Sequence, residues 1–251
     1  MSLTKVVRAY WMPGCSSCLR MKEFISKSGR EWVAINADED RAARAELEAN
    51  GLVLPVARLG DRWVNGVDLA AVAELLEVPY EPPVILPSAE LAARYNLNLD
   101  VARSIITQMT DEMFAVAMPN RRRPMFDVAN QVASVMRSFL AAYSDDKHDS
   151  GFYAKPDFVR TPQDVLDRLD ETRQLFNTWW EEDGIDDPLD RVTETYWGYP
   201  TLLEVLEREV WHTTQHIRQL EYVLKEFGVT PDLPLTKAHL AGLPLPEGIH
   251  D

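Results

Sequence analysis

The sequence has few cysteines, a shortage of basic residues and no long apolar run. Its 251 residues include 2 cysteines, and 40 acidic residues outnumber 26 basic ones, for a formal net charge of −14. So acidic a chain lacks the basic face that displaces counterions from a phosphate backbone, and we expect no nucleic-acid partner. No apolar stretch approaches the roughly 20 residues that cross a bilayer, so we expect no membrane partner.

The start of the sequence also lacks the apolar core and cleavage site of a signal peptide, which predicts a cytoplasmic protein. In a reducing cytoplasm, two cysteines three positions apart are typical of a reversible redox couple. The alternative, a zinc site, needs further ligands, and no other Cys or any His occurs within residues 1–80. Cys15 and Cys18 are therefore the first candidate site.

The hydrophobic pattern predicts an α+β multidomain protein. Residues 1–80 predict the order β-α-β-α-β-β-α, and residues 79–87 contain four prolines, which is typical of an extended connector. We place a linker at 81–92 and an all-α four-helix bundle at 93–251. The long helices are predicted at 99–117, 126–143, 162–182 and 202–227, with the remaining residues lying over the surface.

Cys15 and Cys18 suit the two roles of a dithiol reductant. Cys15 follows a Pro-Gly turn and should begin a helix, where free backbone amides stabilise a thiolate. Cys18 lies one turn further into that helix and can attack a mixed disulfide on Cys15. We therefore expect Cys15 to be the nucleophile and Cys18 the resolving thiol, although a folded domain with inert cysteines remains an alternative.

This motif resembles the thioredoxin superfamily, in particular the glutaredoxins. The resemblance extends to Leu54-Pro55-Val56, where that family keeps a cis-proline, and to Asn65-Gly66-Val67-Asp68, which resembles its glycine-containing turn. It implies a thioredoxin fold over residues 1–80 and contacts from Leu54, Pro55 and Asp68 to glutathione or another low-molecular-weight thiol. The sequence departs from the family in having Ser16-Ser17 between the cysteines.

His212 and His216 form the second candidate site. Their i, i+4 spacing puts both imidazoles on one face of the last long helix, in a stripe that also contains Glu209 and Gln219. Unpaired buried polar groups cost about 1 to 3 kcal/mol each, so this stripe indicates a metal, a substrate site or a hydrogen-bonded cluster with Gln131 and Glu209. The other three histidines, His148, His239 and His250, are expected to be solvated.

The stretch Trp211-His212-Thr213-Thr214-Gln215-His216 resembles the last helix of the DinB-like superfamily. That resemblance implies a four-helix bundle and a divalent metal such as zinc, nickel or iron on His212, His216 and a residue of the second helix. Gln131 stands where the family has its third histidine. Members of this group use low-molecular-weight thiols as cosubstrates in reactions of small electrophiles.

Together, the two halves predict a glutaredoxin-like thiol-disulfide oxidoreductase coupled to a thiol-dependent transferase or reductive enzyme. Its partners would be a low-molecular-weight thiol and a small electrophilic or disulfide substrate, and the sequence leaves a homodimer open. Two alternatives are a protein disulfide reductase with a non-catalytic docking bundle and a redox sensor. Fold-level analogy supports this combination, so the chemistry must be argued from the site.

Overall fold

The N-terminal part of the protein is a four-stranded sheet between helices. The structure is a computed structural model, of which we describe residues 6–117, 123–148 and 150–250. The elements follow the predicted order β-α-β-α-β-β-α: β1 Val7–Trp11, α1 Ser16–Lys27, β2 Trp32–Asn36, α2 Arg41–Ala49, β3 Val56–Leu59, β4 Arg62–Asn65 and α3 Leu69–Leu76.

The sheet has the strand order β2-β1-β3-β4, with β1 parallel to β2 and antiparallel to β3. Strands β3 and β4 form a hairpin across Gly60-Asp61. One sheet face packs on α1 and α3 through residues such as Met21 and Val72, and the other packs on α2 through Leu47. Strand β1 contributes to both faces, because Val7 and Ala9 pack with the first set and Tyr10 with the second.

The rest of the protein, which we call the helical part, contains α4 Ser88–Gln108, α5 Asp111–Ala115, α6 Met125–Val132, α7 Val135–Asp145, α8 Pro162–Trp179, α9 Leu202–Glu226 and α10 Lys237–Leu240. Helix α9 contacts α4, α6 and α7, and most of its residues are buried. Capping boxes fix several helix starts, among them Thr161 for α8 and Thr201 for α9. No helix of the described residues is long and apolar enough to span a membrane.

The first two predicted helices differ from the observed ones, since the first, predicted at 99–117, ends at Gln108 and is followed by the separate helix α5. Helix α4 begins at Ser88, inside the predicted linker and ahead of the predicted start at residue 99. The second predicted helix is interrupted at Ala133-Ser134, between α6 and α7. At this break Thr172 Oγ1 donates to the Ala133 carbonyl and Arg168 Nε donates to Ser134 Oγ, so side chains of α8 supply partners to the interrupted turn.

The C-terminal segment connects the two parts. Carbonyls of Pro246, Gly248 and Ile249 accept hydrogen bonds from side chains of α9, including Arg218. On the other side, the backbone amides of Glu247 and Gly248 donate to the carboxylate of Glu23 on α1, at 2.9 and 2.8 Å. The segment therefore joins α1 to α9, a role beyond the surface cover that its composition indicates.

Candidate functional site

Cys15 lies at the start of α1, directly after the Pro13-Gly14 turn. It is the N-cap residue of the helix, and the backbone amide of Cys18 donates to its Sγ at 3.1 Å. The two cysteines form a disulfide in the structure, with Cys15 partly exposed and Cys18 fully buried. In the reduced state the same amide and the helix dipole would stabilise a thiolate on Cys15, the accessible member of the pair.

The cis-proline expected opposite the cysteines is present, since the Leu54–Pro55 peptide bond is cis. Gly66 packs against it: the Gly66 amide donates to the Pro55 carbonyl at 2.8 Å. A Cβ on Gly66 would overlap Met21 Sδ and lie 3.2 Å from Pro55 Cβ, so only glycine fits without rearrangement. Asp68 caps α3 by accepting from the Ala71 amide.

A cavity of about 450 Å³ lies between the sheet and the helical part, and it brings most of the predicted site residues together. Cys15 and Leu54 line one side of it. Gln131, His212 and His216 line the other. Pro55 and Cys18 lie outside the lining, and Asp68 lines a different cavity. The two motifs that the sequence indicates separately thus face a common space.

A buried charged cluster supports the wall of this cavity. The Arg208 guanidinium donates to Glu209 Oε1 and to the hydroxyls of Tyr153 and Tyr196, the latter two at 2.7 Å. His148 Nε2 lies 3.0 Å from Glu209 Oε1, which also accepts from the Tyr153 hydroxyl at 2.9 Å. Glu209 is fully buried behind the cavity wall. The cluster fixes both tyrosines at the cavity surface.

The cluster also sets its protonation states. Burial alone would raise the pKa of Glu209, but Arg208 and the nearby histidines hold that pKa well below its ordinary value. Burial raises the pKa of the Tyr153 and Tyr196 hydroxyls, which therefore keep their protons. Burial lowers the pKa of His212 from 6.5, against the opposing effect of Glu209, so the imidazole is neutral near pH 7.

His212 and His216 lie together, with ring centroids 4.7 Å apart. His216 Nδ1 is 2.9 Å from Gln219 Oε1, and His212 Nδ1 is 3.5 Å from Glu209 Oε2. Within the described ranges, no group of three or more His, Cys, Asp or Glu side chains is placed to hold a metal. Two imidazoles and the amide of Gln131 form a weaker donor set than three imidazoles, so we derive no chemical step through a metal.

Two basic side chains, Arg123 and Lys155, line the same cavity on the helical side, with Asp127 as an acidic neighbour. They provide positive charge near Cys15 for an anionic substrate group. The sequence shows a basic run at Arg121, Arg122 and Arg123, which we read as a solvated loop or an anion contact. Arg121 and Arg122 lie outside the described residues.

Comparisons with known proteins leave the family of this chain open. No family model and no curated protein matches it. A solved structure of a glutathione S-transferase from Xanthobacter autotrophicus Py2 is similar over 91% of this chain and 96% of its own. The identity is 19% and the TM-score is 0.29, so the likeness carries no argument about activity. The case for function therefore rests on the site itself.

Sequence reasoning missed four residues at the site: His148, Tyr153, Tyr196 and Arg208. The expectation that His148 is solvated is wrong, because its side chain is buried against Glu209. His239 is buried as well. The available signal was the adjacent Arg208-Glu209 pair on the helix that carries the two histidines, since buried charges require partners.

Proposed function

We propose that the protein is a glutaredoxin-like thiol-disulfide oxidoreductase whose substrate binds between Cys15 and the paired histidines, His212 and His216. The observation that carries the proposal is the shared cavity, which Cys15 and both imidazoles line. In this proposal residues 1–80 are a thioredoxin-fold domain, 81–92 a linker and 93–251 a DinB-like four-helix bundle. The bundle supplies a binding site for a small disulfide or electrophile.

The chemistry proceeds by thiol-disulfide exchange. The Cys15 thiolate attacks one sulfur of a substrate disulfide, forming a mixed disulfide and releasing the other sulfur as a thiolate that takes a proton from water. Cys18 then loses its proton and attacks Cys15 Sγ, which releases the second substrate thiol and leaves the Cys15–Cys18 disulfide. Two molecules of a low-molecular-weight thiol such as glutathione reduce this disulfide and become oxidised.

The helical residues hold and orient the substrate in this scheme. Neutral His212 can accept or donate a hydrogen bond at the cavity, and the hydroxyls of Tyr153 and Tyr196 are fixed by Arg208. Arg123 and Lys155 attract a carboxylate of the thiol or substrate. Leu54 contributes a wall of the same cavity, next to Cys15. Pro55 and Asp68 are assigned to thiol binding by the glutaredoxin resemblance.

The test uses bis(2-hydroxyethyl) disulfide as substrate with glutathione as reductant, and a small electrophile such as 1-chloro-2,4-dinitrobenzene in a second assay. Cys15→Ser should abolish disulfide reduction, because the nucleophile is lost. His216→Ala should impair turnover of the electrophile and raise the KM for the disulfide while leaving its kcat intact, because Cys15 and Cys18 are unchanged. Loss of neither activity in His216→Ala would favour a reductase whose helical part only docks a partner, and full activity in Cys15→Ser would refute the proposal.

A further inference from the structure

A second cavity, of about 420 Å³, lies on another side of α9 between the sheet and the helical part. It is bounded by α1, by the turn before α3, by the proline-rich connector and by residues 197–211. Of the described residues, only Arg208 lines both this cavity and the one next to Cys15. Of the residues confined to this cavity, the proposed oxidoreductase chemistry uses only Asp68, which the glutaredoxin resemblance assigns to thiol binding.

Glu207 is an acid in this cavity that lacks a partner. Its side chain is on α9, the residue is 8% exposed, and Oε1 has no hydrogen-bond partner among the described residues. A buried carboxylate without a partner carries a desolvation cost that a bound cation would offset. Consistent with this, burial raises the pKa of Glu207 to about 7, against the opposing charge of Arg20.

Arg20 provides the opposite charge. It projects from α1 into the same cavity, with its guanidinium 5.5 Å from the centre of the Trp211 ring. Within the part of the chain that the structure describes, no carboxylate lies within ion-pair distance of it. Arg20 and Glu207 therefore face one cavity from two different parts of the protein without closing an ion pair.

The other charged side chains that line the cavity already have partners within the protein. Asp68 caps α3 through the Ala71 amide, and Glu204 caps α9 by accepting from Thr201. Arg208 is neutralised by Glu209. Arg20 and Glu207 are thus the two charges left for a ligand, one positive and one negative.

The walls around these two charges are aromatic and prolyl. Trp197, Tyr199 and Trp211 line the cavity together with Pro82 and Pro83. Tyr199, which is 75% exposed, lies at the solvent side of the cavity. We propose that this cavity binds a small α-amino acid with an apolar or aromatic side chain, its ammonium group on Glu207 and its carboxylate on Arg20.

The test measures binding by calorimetry on the full chain with three matched probes. L-phenylalanine carries both charges, phenethylamine only the ammonium and 3-phenylpropionate only the carboxylate. Phenylalanine should bind at least about tenfold more tightly than either probe, because each of them forfeits one charge-assisted hydrogen bond. Equal binding of phenylalanine and phenethylamine would overturn the zwitterion assignment, and no binding of any probe would overturn the site.

Variants assign the two contacts. Glu207→Gln should abolish the advantage of phenylalanine over 3-phenylpropionate, and Arg20→Gln should abolish its advantage over phenethylamine. Glu226→Gln, at an exposed position of the same helix, should change neither ratio. Thermal melting of each variant checks that it is folded. If both variants keep the full preference for phenylalanine, the residues are not its ligands and the proposal fails.

S-methylglutathione separates an amino-acid site from a thiol-peptide site, since it bears the same head group on a larger body and has no reactive thiol. Binding of S-methylglutathione that depends on Glu207, without binding of phenylalanine, would overturn the proposal and assign the cavity to the thiol. Disulfide reduction is measured on the same wild-type protein without amino acid. The presence or loss of this disulfide reductase activity tests the oxidoreductase proposal alone, because phenylalanine binding requires neither cysteine.

Discussion

Replacing Glu207 with glutamine should stabilise the protein at alkaline pH and not at acidic pH. The folded-state pKa of about 7 lies above the ordinary value of 4.5, because burial disfavours the carboxylate. The folded state therefore holds this proton more tightly than the unfolded state does. The stability that this proton contributes is complete below pH 4.5 and is lost as the pH rises through 7.

The size of the effect follows from the two pKa values. A difference of one pKa unit corresponds to 1.36 kcal/mol, so the wild-type protein should lose about 3 kcal/mol relative to the variant between pH 4.5 and pH 8. For a chain of this size, that corresponds to a difference in melting temperature of roughly 6 to 12 °C. Comparing wild type with variant at each pH removes the contribution of the histidines, which titrate in both proteins.

The assay is thermal unfolding of wild type, Glu207→Gln and Glu226→Gln from pH 5 to pH 8. The difference in melting temperature between wild type and Glu207→Gln should grow with rising pH. Glu226→Gln should melt like wild type at every pH, because that side chain is exposed. A constant gap across the range would show that Glu207 is not desolvated. A gap that narrows with rising pH would show that Glu207 has a strong cationic partner in the folded protein.

Three further predictions concern the first cavity and the fold around Cys15. Iodoacetamide at pH 6 to 7 should label reduced Cys15 before Cys18, and mass spectrometry of the peptides would refute the roles if Cys18 reacts first. Gln131→His should tighten binding of Zn²⁺ to the apoprotein, read by calorimetry; unchanged affinity would remove the residue from any metal site. Gly66→Ala should destabilise the protein by about 1 to 3 kcal/mol, because its Cβ overlaps the Met21 side chain; a wild-type denaturant midpoint would contradict this packing.

The N-terminal elements could be predicted because their signals are local. A run of apolar and aromatic residues marks β1, the Pro-Gly turn and Cys15 mark the start of α1, and Asp40 and Asp68 mark the N-caps of α2 and α3. Each of these signals depends on neighbouring residues only. The strand order and the cis-proline were implied by the family resemblance and not by pattern.

The differences between the predicted and the observed structure arise from contacts between residues that are distant in sequence. The break at Ala133-Ser134 is matched by side chains of α8, which no local pattern of the second helix records. His148 can be buried because its imidazole is paired with the carboxylate of Glu209, which is 61 positions away in the sequence. In both cases a tertiary partner overrides what the local composition indicates.

The C-terminal segment closes the protein into a ring. The covalent path leaves the sheet through residues 79–87, and the non-covalent path returns through Glu247 and Gly248 to Glu23. The connector by itself would join the two parts at one point. The second attachment, from Glu247 and Gly248 to Glu23, joins them at another and keeps the sheet and the helical part at high effective concentration. The distance between Cys15 and the paired histidines is then set by two tethers. Separating the two parts to admit a larger substrate would therefore cost the hydrogen bonds to Glu23 as well as bending of the connector.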